Sequence, residues 1–174
     1  NGINYELDID SYSLIFDPLK KLSSHKVLMN SLNQDVVDNF VDEILKKLVI
    51  SNEEKAESEQ MKEDPEKTKF SESIVKQFNG IMLRVIANCN VNLLLTSFFI
   101  ILLNTDMVIN QKITNSVLQL TLRCILRITN NLKNKIKEVD PCVIFSLIYN
   151  YLETVDQDQS NNGNKTIKKL LKEL

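Results

Sequence analysis

The fold is decided by the stretch Val91-Asn92-Leu93-Leu94-Leu95-Thr96-Ser97-Phe98-Phe99-Ile100-Ile101-Leu102-Leu103, which carries no charge and, as a helix, has no face free of apolar side chains. A helix that is apolar all round must be enclosed on most sides. From Leu93 to Leu103 the run covers 11 residues, whereas a membrane-spanning helix needs roughly 20. We therefore predict a buried central helix and no insertion into a membrane.

Size and composition predict one all-α domain, residues 1–174. Three Gly and three Pro leave little turn chemistry for a fold of many short strands. The formal net charge of −2 gives no general attraction to nucleic acid or anionic lipid, so a partner must recognise a local patch. The cysteines at 89, 124 and 142 are widely spaced, which fits a reducing, intracellular compartment. The chain starts at Asn1 without a secretory signal, and we expect it to be part of something longer.

Apolar residues at three- and four-residue spacing predict a series of helices, at 10–22, 34–50, 69–87, 91–103, 110–132, 140–154 and 165–174. Pro18 leaves two alternatives for the first segment, a kinked helix or a restart at Asp17. The charged stretch 51–68 has few apolar residues, and it is predicted to be an acidic flexible loop because it cannot bury enough surface to offset its ordering. A polar loop is predicted at 156–164.

The helices are predicted to form antiparallel hairpins stacked side by side. Segments 69–87 and 91–103 form the central hairpin, and the next begins about 42 residues later, counted from Phe70 to Lys112, against roughly 40 to 47 for a HEAT or armadillo repeat. A stack would enclose the central helix between its own partner and both neighbouring hairpins.

One helix, 110–132, combines two apolar rows with a narrow polar stripe. From Asn110 to Lys137 there is no acidic residue, and six residues are basic, namely Lys112, Arg123, Arg127, Lys133, Lys135 and Lys137. This positive edge is either a solvated face or a docking site for an acidic protein partner. Nucleic acid is a weaker candidate because no aromatic side chains are interleaved for base stacking.

The sequence predicts no catalysis and no cofactor. Gly2, Gly80 and Gly163 are isolated, so no glycine-rich phosphate loop is present. His25 is the single histidine and lacks the neighbours of a nucleophile or a metal site. It is predicted to be a surface residue near a turn.

Two segments, 78–103 and 122–151, resemble the C-terminal helical domain of the ch-TOG and Msps family of microtubule polymerases. The residues that carry the resemblance are Ile81-Met82-Leu83-Arg84-Val85-Ile86, Asn92-Leu93-Leu94-Leu95 with Ile100-Ile101-Leu102-Leu103, and Arg123-Cys124-Ile125-Leu126-Arg127-Ile128 followed by the 140–152 helix. The order of the helices is similar too.

The resemblance implies a TOG-like stack of HEAT hairpins in a large, cytoplasmic protein of the cytoskeleton, at microtubules, the spindle or the centrosome. It further implies recruitment through an adaptor such as a TACC-like coiled coil, with tubulin as the alternative partner. The chain has no Trp, whereas tubulin-binding TOG domains typically place one in their first intra-repeat loop. We therefore expect a non-enzymatic adaptor-binding domain, ahead of a tubulin-binding domain or a HEAT or armadillo scaffold unrelated to microtubules.

Overall fold

The computed structural model describes residues 5–60, 65–104, 111–154 and 161–173, and this part of the chain is all-α, with no strand. The helices are α1 Tyr5–Ser24, α2 Lys26–Asn30, α3 Gln34–Gln60, α4 Pro65–Asn88, α5 Val91–Asn104, α6 Gln111–Asn131, α7 Pro141–Thr154 and α8 Asn161–Glu173. Two short 3-10 turns, Leu132–Asn134 and Ile136–Glu138, lie between α6 and α7. The predicted all-α class is confirmed.

The N-terminal helix settles the alternatives left open at Pro18. Helix α1 runs through Pro18 without a restart. The short helix α2, which the sequence pattern did not predict, begins directly after His25, whose Nδ1 accepts a hydrogen bond from the Leu28 amide at 3.3 Å. His25 is exposed, so the prediction of a surface histidine near a turn is confirmed, and its side chain serves as a helix cap.

The predicted acidic loop at 51–68 is wrong over most of its length. Helix α3 continues to Gln60, and α4 begins at Pro65, while 61–64 lie outside the described residues. Glu, Lys, Ala and Gln are good helix formers, so a segment too polar for the core still extends a helix that is already anchored. Lys55 Nζ on α3 then pairs with Glu72 Oε1 on α4 at 3.1 Å, and this ion pair lowers the pKa of the Glu72 carboxyl.

The predicted polar loop at 156–164 is shorter than expected at its C-terminal end. Helix α8 already begins at Asn161, and residues 155–160 lie outside the described residues. Gly163 is buried, so this first turn of α8 packs against the protein although its composition is polar. The sequence pattern missed the turn because an Asn-rich stretch has low helix propensity by itself.

Helix α5 lies at the centre of the packing. It contacts α3, α6 and α7, and Leu94, Leu95, Phe98 and Phe99 are fully buried. The prediction of an enclosed central helix is confirmed. The Phe99 ring meets the Tyr151 ring of α7 edge to face, with centroids 5.9 Å apart, which is a favourable aromatic geometry.

The predicted hairpin of α4 with α5 is wrong, because these two helices are not among the closely packed pairs of the described residues. Helix α4 packs against α3 and α1, and α5 packs against α6 and α3. The turn between α4 and α5 is only Cys89 and Asn90, and Asn90 Oδ1 accepts from the amides of Asn92 and Leu93 at 2.9 and 3.3 Å. This cap starts α5 immediately in a new direction.

Polar side chains fix the neighbours of α5. Gln34 Nε2 of α3 donates to Ser97 Oγ at 3.0 Å and to the Leu93 carbonyl at 3.1 Å. At the other side, Asn92 Nδ2 donates to the Glu138 carbonyl, and Asn92 Oδ1 accepts from the Asp140 amide, both at 2.9 Å. Asn92 therefore holds the start of α7 against the start of α5.

Candidate functional site

The exposed edge of α6 is the surface that the sequence singled out. Val117, Thr121, Ile125 and Thr129 are buried along the opposite side of the helix. The two threonine hydroxyls donate to carbonyls of their own helix at 2.8 Å, so their burial leaves no hydroxyl unsatisfied. This packing turns the edge with Arg123 and Arg127 towards solvent, and both arginines are exposed.

The five predicted site residues whose side chains the structure describes do not line one groove. Arg123 lines an open groove between α6 and α8, whereas Arg127, one helical turn later, lines a separate groove between α6 and α4. Lys133 and Lys135, which follow α6, contact Glu173 and the end of α4, respectively. Lys137 is exposed in the second 3-10 turn. Lys112 lies in the first turn of α6, and its side chain is outside the described part of the chain.

Lys135 has a structural partner. Its Nζ donates to the carbonyl oxygens of Ile86 and Cys89 at 3.3 and 3.4 Å, at the C-terminal end of α4. Such carbonyls lack partners within their helix, and a cation there also complements the helix dipole. Burial lowers the pKa of Lys135, Glu138 opposes that shift, and Lys26 of α2 adds to it. Lys135 thus ties the segment after α6 to α4.

Lys133 is paired as well. Its Nζ lies 3.4 Å from Glu173 Oε2 at the end of α8. The lysine side chain is 79% exposed, so the pair contributes little to stability. The pair matters mainly for the surface charge, because Glu173 offsets the positive charge of Lys133 at the end of α8.

The groove between α6 and α8, here named the α6–α8 groove, has a volume of about 410 Å³. Its lining consists of Gln119, Leu122, Arg123 and Leu126 from α6, and Lys165, Thr166 and Lys169 from α8. Lys165 and Lys169 are not among the site residues predicted from the sequence, which assigned 165–174 only as a helix. The signal was present in the spacing, since lysines four residues apart occupy one helix face.

The groove between α6 and α4, here named the α4–α6 groove, has a volume of about 290 Å³. Leu83, Ile86, Val91 and Ile128 are among its lining residues, and Arg127 and Lys135 supply its charge. Since Lys135 is held by two carbonyls, Arg127 is the cation of this groove that can reach a partner.

Helix α7 carries a different surface. Phe145, Tyr149 and Leu152 are 51%, 60% and 49% exposed, and their spacing of four and three residues places them on one face. Tyr149 Oη hydrogen-bonds to Glu153 Oε1, and this hydrogen bond raises the pKa of the tyrosine. The face is apolar with a polar rim, as expected of a contact surface, but it displays no charge pattern that identifies a partner.

Reactive groups are scarce in the described residues. Burial raises the pKa of the Cys89 and Cys124 thiols to about 11 and about 12, so neither is a thiolate near neutral pH. Cys142 is exposed near the start of α7. Within the same residues, no three side chains of His, Cys, Asp or Glu are grouped to hold a metal ion.

Within residues 5–60, 65–104, 111–154 and 161–173, no helix is long and apolar enough to cross a membrane. Comparisons of the chain with protein-family models, with curated proteins and with solved structures gave no match.

Proposed function

We propose that this chain is a non-enzymatic protein-interaction domain that recruits a microtubule-regulating protein through an adaptor. The observation that carries the proposal is the positive surface of α6 and α8, where Arg123, Lys165 and Lys169 line one open groove without an acidic residue among its lining side chains. The chain as a whole carries a net charge of −2, so this surface is a local exception. Exposed Arg and Lys in such a patch set the encounter rate and the orientation of an acidic partner.

The packing of the helices supports a HEAT-type stack. Helices α3, α5 and α7 contact one another in that order, while α1 contacts α4 and α6 contacts α8. The row α3, α5, α7, with α3–α4 and α5–α6 as hairpins, is what one side of a repeat stack requires. On the other side, α4 and α6 are not among the closely packed pairs of the described residues. The hairpins are shifted by one helix from those expected from the sequence, because α4 pairs with the helix before it.

The microtubule assignment rests on the resemblance to the C-terminal domain of the ch-TOG and Msps family. Within that proposal the parent protein acts in the cytoplasm on microtubules, at the spindle or the centrosome, and the adaptor is a TACC-like coiled coil. Direct binding of tubulin is the second candidate, and it is favoured by the same positive surface. A HEAT or armadillo scaffold unrelated to microtubules would share the helical stack but neither partner.

The test is a pull-down of a purified TACC-like coiled coil with this chain, with size-exclusion co-migration with tubulin dimers at low salt as a second measurement. Reversing two charges of the groove, Arg123→Glu with Lys169→Glu, should weaken capture of the partner by about tenfold, because two attractive contacts become repulsive. The matched control is Lys21→Glu with Lys47→Glu, which reverses two exposed lysines of α1 and α3.

Capture of the coiled coil that is weakened in the groove variant and kept in the control variant supports the adaptor proposal. Co-migration with tubulin and no capture of the coiled coil would replace it with the tubulin-binding candidate. Failure to bind either protein would overturn the microtubule assignment and leave the scaffold candidate.

A further inference from the structure

The α6–α8 groove combines charge with an apolar floor. From α6 it receives Leu122 and Leu126, which are four residues apart and half-buried, and Arg123 beside them. From α8 it receives Lys165 and Lys169, both exposed. Residues four apart on a helix stand about 5 to 6 Å from each other on one face. The groove therefore has a leucine row with cations along both sides.

The apposition of α6 and α8 is held by the core. Ile167 and Leu170 of α8 are 1% and 0% exposed, and α8 packs against α6. Because these two residues anchor the inner face of α8, Lys165 and Lys169 are held at the groove by a packed helix. The backbone positions of the two lysines are therefore fixed before a partner binds, while their exposed side chains keep their rotamer freedom.

The positive charge of the groove is not neutralised by its own lining, which includes no Asp or Glu among the described residues. The acidic residue of α8 is Glu173, and it lies 3.4 Å from Lys133. Glu173 therefore offsets positive charge at the end of α8, whereas no lining residue offsets the positive charge in the middle of the groove.

We propose that the α6–α8 groove binds an acidic peptide segment of the partner that carries leucine-like side chains at helical spacing. Its carboxylates pair with Arg123, Lys165 and Lys169, and its apolar side chains cover Leu122 and Leu126. The leucine floor favours a peptide over nucleic acid, because the lining offers no aromatic side chain on which a base could stack. This inference rests on the proposed function and names the segment that the domain recognises.

The two grooves beside α6 allow a sharp test. Arg123 and Lys169 line the α6–α8 groove, whereas Arg127 lines the α4–α6 groove and Lys133 is paired with Glu173. The variant Arg123→Glu with Lys169→Glu reverses the sign of two charges in the groove. The variant Arg127→Glu with Lys133→Glu makes the same change in net charge on the neighbouring surface.

The probe is a fluorescein-labelled peptide, Glu-Asp-Glu-Leu-Glu-Asp-Leu-Glu-Asp, measured by fluorescence anisotropy against the full chain at about 0.15 M salt, where exposed charges more than about 8 Å apart are largely screened. The first variant should raise its Kd by about tenfold and the second by less than about twofold, because exposed charge pairs are short-range in their effect. A peptide with both leucines replaced by serine should bind about tenfold more weakly, since two buried apolar contacts are lost. A single-stranded oligonucleotide of matched charge serves as the third ligand.

Equal losses in the two variants, or equal affinity for the serine peptide, would overturn the groove as a specific site. Tighter binding of the oligonucleotide than of the peptide would overturn the choice of partner, as would no binding of the peptide by the unmodified chain. Failure of the proposed function looks different, since the peptide would then bind in the groove while the coiled coil is not captured.

Discussion

Helices α5 and α6 follow each other along the chain and differ in what surrounds them. Helix α5 contacts α3, α6 and α7, and its large side chains Leu94, Leu95, Phe98 and Phe99 are excluded from solvent. Helix α6 also packs against three helices, α3, α5 and α8, yet it keeps Arg123 exposed. The difference shows that a helix packed against three neighbours can still keep one polar edge in contact with solvent.

The largest expected effect is in α5. Replacing Leu95 or Phe99 by Ala removes a side chain that is 0% exposed, and each change should lower the free energy of unfolding by about 2 to 5 kcal/mol through lost burial and the cavity left behind. Urea denaturation followed by circular dichroism measures it. Leu152→Ala, at a side chain that is 49% exposed, is the matched control and should cost less than about 1 kcal/mol. Unchanged stability in both α5 variants would mean that α5 is not the centre of the core.

A smaller effect is expected where α5 meets α3. Ser97 is 1% exposed, and its hydroxyl accepts from Gln34 at 3.0 Å. Ser97 also contacts the Asp38 carboxylate. Ser97→Ala therefore removes one hydrogen-bond partner from the Gln34 amide and one from the Asp38 carboxylate, and it should lower the free energy of unfolding by about 1 to 3 kcal/mol. The same denaturation experiment measures it.

The control for the Ser97 substitution is Ser73→Ala, at an exposed position of α4. It should change stability by no more than about 0.5 kcal/mol. Similar values for the two variants would argue that the polar contact between α3 and α5 does not select the partner of α5.

The smallest effect on stability is expected at the edge of α6. Arg123→Glu with Arg127→Glu should change the free energy of unfolding by about 0.5 kcal/mol or less, because both side chains are exposed. Thermal unfolding of this variant beside the unmodified chain checks the expectation. A loss as large as that of Phe99→Ala would mean that the edge is structural, and any loss of partner binding would then reflect unfolding.

The positive edge of α6 was predictable in part. Arg123 and Arg127 are exposed as expected, because three- and four-residue spacing identifies the face of α6 that is free of large apolar side chains. Lys133 and Lys135 are basic in the same stretch, yet they contact Glu173 and the end of α4. Those contacts join residues far apart in the chain, and the local pattern carries no information about them.

The charged stretch 51–68 shows the same limit of a local sequence pattern. Its composition indicates a segment that cannot form a core. Asn52 and Glu54 are indeed exposed, whereas Ser51 is buried and Glu53 and Lys55 are half-buried. Composition does not say whether the segment prolongs a neighbouring helix. Here α3 extends to Gln60, because good helix formers follow an anchored helix and Lys55 reaches Glu72.

The sequence by itself determined where most helices lie, that Val91–Asn104 is enclosed, and that the chain is all-α, since hydrophobic periodicity and charge depend only on nearby residues. The tertiary structure decided which helices are neighbours, so that α4 pairs with α3 and α5 lies against α6. It also decided that Arg123 shares a groove with Lys165 and Lys169 while Arg127 does not. Periodicity identifies the face of a helix that must be covered, whereas the helix that covers it is selected by packing shape and by polar contacts such as Gln34 with Ser97.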